Sequence, residues 1–96
     1  MYLRLSRATF DPGTMSDEQI TVLDQGVADA LKTQPGFISY QSGVNRQAGT
    51  MVAISTWQDE ESANFPREAL GGVIPKAMDL GLRMEAPEMY DLGVTA

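Results

Sequence analysis

Apolar and polar residues alternate from the first residues onward, Leu3 and Leu5 between Tyr2, Arg4 and Ser6, until Asp11-Pro12-Gly13 interrupts the run. Alternation of period two that ends at proline and glycine predicts a strand over residues 2–9 and then a turn. The period then changes. Ile20, Leu23, Val27, Ala30 and Leu31 recur at steps of three and four, while Asp24, Gln25, Asp29 and Lys32 mostly fall elsewhere around the turn. That spacing predicts a helix with one apolar face. Ser16 with Gln19 three residues on has the form of a capping box, and Met15 with Ile20 that of a hydrophobic staple. Pro35 disfavours helical geometry in Gln34 and Gly36 releases the chain, so the helix should stop near Gln34.

Two β-rich runs, Phe37–Val44 and Thr50–Trp57, flank the polar segment Asn45-Arg46-Gln47-Ala48-Gly49, which predicts a hairpin. In the second run Val52 and Ile54 share one parity; Met51, Ala53 and Trp57 share the other. A sheet covered on one side only would show a polar second face, so burial of both faces is expected. Asp59-Glu60-Glu61-Ser62-Ala63 places acidic residues where a helix N-terminus favours them. Pro66 and Gly71-Gly72 break the segment into a short turn near 59–65 and a second helix over 73–81, with Pro75 in its first turn and Gly81 at its stop. Leu82, Met84, Ala86 and Tyr90 then alternate with Arg83, Glu85 and Asp91 around Pro87, which restricts this last strand to an edge or a bulge.

A chain of 96 residues is one domain, 1–96, sharing one core. Its 43% hydrophobic and 21% charged residues are an ordinary globular composition. Seven Lys and Arg, scattered singly, stand against 13 Asp and Glu for a net charge of -6. Such a surface repels phosphate backbones and anionic membranes, so neither nucleic acid nor membrane is an expected partner. No apolar run reaches membrane-span length, and Met1-Tyr2-Leu3-Arg4-Leu5 lacks the features of a signal peptide, so the expected location is the cytoplasm.

The absence of Cys and His excludes more than any motif could. Disulfides, thiolate nucleophiles, iron–sulfur clusters, histidine bases, histidine-ligated haem and ordinary zinc sites all drop out. Asp59-Glu60-Glu61 diverge at a helix start instead of converging on a cation, and Gly71-Gly72 lacks the Lys and Ser or Thr of a phosphate loop. No metal and no cofactor is therefore expected. Carboxylate, hydroxyl, phenol, guanidinium and amine chemistry remain.

The order strand, helix, strand, strand, helix, strand, together with Gln34-Pro35-Gly36-Phe37 and Trp57-Gln58-Asp59-Glu60-Glu61-Ser62-Ala63, resembles the antibiotic biosynthesis monooxygenase-like family. The resemblance implies an α+β, ferredoxin-like βαββαβ fold whose antiparallel sheet packs on a partner's sheet, giving a homodimer shaped as a dimeric α+β barrel. Two apolar sheet faces agree with that arrangement. The family includes cofactor-independent oxygenases acting on aromatic polyketides, haem-degrading enzymes and proteins of unassigned activity. The haem-degrading branch uses a first-strand Asn and a helical His; here the Asn position holds Arg7 and no His exists.

The function expected is a cofactor-independent monooxygenase, or a related small enzyme, acting on a flat apolar or aromatic molecule. In such chemistry the substrate carbanion reduces oxygen, and the protein excludes water, orients the ring and stabilises negative charge. Arg7 and Tyr40 are the candidate catalytic residues. A guanidinium can hold an enolate or peroxide anion, and a phenol can hydrogen-bond a hydroxyl or quinone oxygen. Trp57, Phe65 and Asn64 are the candidate substrate-binding residues. Four of the five have a plainer reading: a surface ion pair for Arg7, a half-buried strand position for Tyr40, a core anchor for Trp57 and a loop anchor for Phe65. Arg4 and Arg7 fall on opposite faces of a regular strand, so at most one faces the helices. The rival to an enzyme is a non-catalytic ligand-binding or stress-associated dimeric barrel, and a third reading is a structural dimer with a collapsed pocket.

Overall fold

In the computed structural model, which describes residues 1–96, the first strand organises the sheet. β1 (Tyr2–Thr9) runs antiparallel to β3 (Thr50–Trp57) over its full length, with Tyr2 opposite Trp57 and Thr9 opposite Thr50. β3 also forms a hairpin with β2 (Phe37–Asn45). The other edge of β1 takes β4 (Arg83–Met84) and β5 (Glu88–Asp91), so the order is β2-β3-β1-β4 with β5 also on β1. This is the antiparallel ferredoxin-like arrangement expected from the sequence. The last strand comes in two pieces because the chain leaves the ladder at Ala86-Pro87, after Glu85 N–H donates to the Arg7 carbonyl at 2.9 Å, and both pieces lie at the sheet edge where proline's missing donor is tolerated.

α1 (Asp17–Lys32) starts with both halves of the capping box: Gln19 N–H donates to Ser16 Oγ at 3.1 Å, and Ser16 N–H to Gln19 Oε1 at 2.9 Å. Met15 and Ile20 are buried in one cluster, as the staple requires. α2 (Glu60–Ala63) is capped by Asp59, whose carboxylate accepts the Ser62 N–H at 2.8 Å. That bond to the Ser62 amide holds the Asp59 carboxyl below its ordinary pKa. A 3-10 turn (Arg67–Leu70) leads into α3 (Val73–Asp79), which ends two residues before the expected stop, with Gly81 at φ 104° turning the chain away. No helix is long and apolar enough to cross a membrane.

The pleat sorts the sheet residues between two faces. Arg4, Ser6 and Ala8 of β1 share a face with Met51, Ala53, Ser55 and Trp57 of β3, and the helices pack there. Leu3, Leu5 and Arg7 share the opposite face with Val52 and Ile54. β2 departs from simple alternation. Phe37 pairs with Trp57 and Ser39 with Thr56, so Ile38 is an extra, bulged residue. Phe37 and Tyr40, of unlike parity, consequently both face the helices. The hairpin loop closes on Gly49, whose φ of 69° and 2.4 Å clearance from the Phe10 carbonyl to a Cβ built there exclude any side chain.

Candidate functional site

Between α1, α3 and the covered sheet face lies a cavity of about 110 Å³ with a mostly apolar wall. A single water needs roughly 10–15 Å³ by a comparable measure, so the space suits a small ring system rather than one or two waters. α1 contributes Ile20, Leu23, Val27 and Leu31 to the wall, and also Asp24. Ile20, Asp24, Val27 and Leu31 are spaced by four, three and four residues, which places the carboxylate within the apolar stripe itself. Asp24 Oδ1 accepts the Tyr40 hydroxyl at 2.5 Å, and Oδ2 accepts the Ser42 hydroxyl. Burial first, and the bond to Asp24 second, push the Tyr40 phenol pKa well above its ordinary value.

Arg4 enters the same cavity from β1. Its Nη1 donates to the Ala63 carbonyl at 2.9 Å, and its guanidinium lies 4.1 Å from the Phe65 ring centroid, within cation–π range. Burial lowers its pKa. Arg4 and Tyr40 both pair with Ser55, one from each neighbouring strand, so their backbones stand about 10 Å apart across one sheet face. A cationic donor and a phenol–carboxylate pair thus flank an apolar space. That arrangement can orient a flat molecule carrying an oxygen at its edge and can accept negative charge on that oxygen.

The profile of the antibiotic biosynthesis monooxygenase family matches residues 1–67. The chain belongs to this family. Arg4, Asp24, Tyr40, Trp57 and Phe65 all lie within the matched segment, whereas α3 lies beyond it. SnoaB, a cofactor-independent oxygenase from Streptomyces nogalater, shares 22% identity and superposes with a TM-score of 0.67, covering 98% of this chain and 94% of that one. A candidate antibiotic biosynthesis monooxygenase from Deinococcus radiodurans shares 14% identity at a TM-score of 0.75, covering 100% and 96%. Rv0793 from Mycobacterium tuberculosis shares 13% at 0.73, covering 99% and 97%. At these identities the likeness is one of fold. The sequence matches no curated protein.

Among the residues singled out from sequence, the structure of this family member brings Tyr40 and Phe65 to the cavity. Arg7 borders the cavity from β1, but its guanidinium binds Glu88, Nε to Oε2 at 2.9 Å, with its side chain 56% exposed. Its parity puts it on the face away from the helices. The Tyr90 hydroxyl also binds Glu88, at 2.7 Å, and these two bonds hold the Glu88 carboxyl below its ordinary pKa. Trp57 has no exposed surface and stands outside the wall. Its ring lies 5.6 Å from Phe37 and 5.2 Å from Phe65, while Nε1 donates to the buried Ser55 Oγ at 2.8 Å. It backs the Phe65 ring that faces the cavity. Asn64 is exposed at the C-terminus of α2 and is not part of the wall. Sequence reasoning missed Arg4 and Asp24. Asp24 had a signal, a charge at heptad spacing within the apolar stripe.

Proposed function

We propose that this family member is a cofactor-independent monooxygenase acting on a flat apolar or aromatic molecule, working as a homodimer joined through the sheet face that carries Leu5 and Ile54. The observation behind this reading is that Arg4 and the Tyr40–Asp24 pair converge on an otherwise apolar cavity. Apolar walls hold a ring and exclude water, and the guanidinium holds charge on a substrate enolate. The enolate then reduces dioxygen: one oxygen atom enters the activated CH₂ carbon as a carbonyl, and the other leaves as water. The description of SnoaB as a cofactor-independent oxygenase supports the same chemistry. Apolar residues on the uncovered sheet face support the dimer.

The competing reading is a non-catalytic binding barrel, favoured by the ties that Arg4 makes to Ala63 and Phe65. Oxygen uptake separates the two. Protein treated with a chelator and given a hydroxylated polycyclic ketone should consume one O₂ per substrate. Arg4→Gln should lower this rate by about a hundredfold, the order seen when one donor to a developing oxyanion is lost, and Arg7→Gln should change it by less than about threefold. Tight binding of the ketone without uptake would leave the binding barrel as the correct reading.

A further inference from the structure

Asp24 is the only carboxylate on the cavity wall, in a chain with no histidine or cysteine. The other titratable groups there are Arg4 and Arg7 of β1 and Tyr40 of β2, and α3 contributes none. A guanidinium stays protonated at neutral pH, and a phenol with a raised pKa stays protonated too. Asp24 is thus the one side chain of the cavity whose chemical type suits it to accept a proton. Asp24 makes no ion pair; the two side chains that bind it, Tyr40 and Ser42, are neutral donors, one to each carboxylate oxygen. A carboxylate oxygen has two acceptor positions, so each retains one. The two donors fix the carboxylate's orientation without neutralising its charge.

We infer that Asp24 is the residue of the cavity that takes the C–H proton of a ring ketone, positioned by Tyr40 and Ser42. The inference rests on the proposed oxygenase reading for the fate of the anion but not for its formation. In the step itself the substrate C–H bond breaks and its proton passes to an Asp24 oxygen. The electron pair stays on the substrate as an enolate, whose oxygen is directed to Arg4. Dioxygen takes no part. The alternative role for Asp24 is a plain tether between α1 and β2.

The step can be read without oxygen, as hydrogen–deuterium exchange at the acidic carbon of 2-tetralone in D₂O under nitrogen. The wild-type protein should speed exchange above the buffer rate, and Asp24→Asn should slow it by at least about a hundredfold, the range of a positioned general base. Circular dichroism and the tetralone dissociation constant of Asp24→Asn should stay close to wild type, since an amide can still accept one of the two bonds. A tether would move stability and leave the exchange rate in place. Exchange by Asp24→Asn at the wild-type rate, absence of exchange in the wild type, or failure of tetralone to bind would each overturn the inference. Exchange under nitrogen with no oxygen uptake in air would sustain it while refuting the oxygenase.

Discussion

β1 carries two arginines three residues apart whose surroundings differ in every respect that matters. Arg4 is half-buried under the helices, stacked on Phe65 and bonded to a backbone carbonyl. Arg7, on the other face, shares a solvated carboxylate with Tyr90. A unit charge pair at 4 Å is worth about 4 kcal/mol at the effective dielectric near a protein surface and about 1 kcal/mol in water. The same guanidinium therefore has several times the electrostatic leverage on the covered face. The pleat of one strand separates a face suited to chemistry from a face suited to association.

The largest effect expected from this comparison is in the covered core. Trp57→Ala should lower stability to urea by about 3–5 kcal/mol, as for other buried aromatic truncations, because a fully buried ring between Phe37 and Phe65 is lost and Ser55 loses its donor. A cost near that of an exposed position would break the distinction between the faces. The next effect belongs to the open face. Leu5→Glu should raise the dimer dissociation constant at least a hundredfold, about 2.7 kcal/mol, in sedimentation experiments, and leave circular dichroism unchanged. Dimerisation unaffected by that carboxylate would mean that the face is not the interface.

The smallest effect is one proton. The Tyr40 phenol has a folded pKa above the 10.0 of the free group, so its contribution to stability is complete below pH 10 and is lost as pH rises toward the folded value. Absorbance titration should show one of the three tyrosines ionising only as the protein unfolds. Tyr40→Phe should remove that late step. Ionisation of all three before any loss of helix signal would show that Asp24 does not hold the phenol.

Local pattern explains what was legible in the sequence. Capping residues, a 3.6-residue period, alternation and turn glycines act over a few residues, so α1, the hairpin and β1 follow from the sequence with nearly their observed limits. The site was less legible because its geometry is set at longer range. Which of Arg4 and Arg7 lies inside depends on how β1 registers against Trp57, an interaction across more than fifty residues. Trp57 was expected to share the wall with Phe65; instead the ring stands one layer behind it, where its N–H finds Ser55 on its own strand. Asp24 was grouped with its polar neighbours although its spacing from Ile20 and Val27 put it in the stripe. A rule that assigns every charged residue to the solvent face hides the exception that carries chemistry.

The bulge at Ile38 makes the placement of Tyr40 a matter of counting rather than of side-chain identity. Were Ile38 instead to pair with Thr56 in an unbulged ladder from Phe37, the strand would slip by one residue, turning Tyr40 and Ser42 outward and placing Ser39 opposite Ser55 and Gln41 opposite Ala53. The carboxylate would then meet a serine and an amide in place of a phenol and a serine. A one-residue slip of register would thus rewrite the lining of the cavity without changing the sequence of the strand, and the bulge is what fixes the phenol inside.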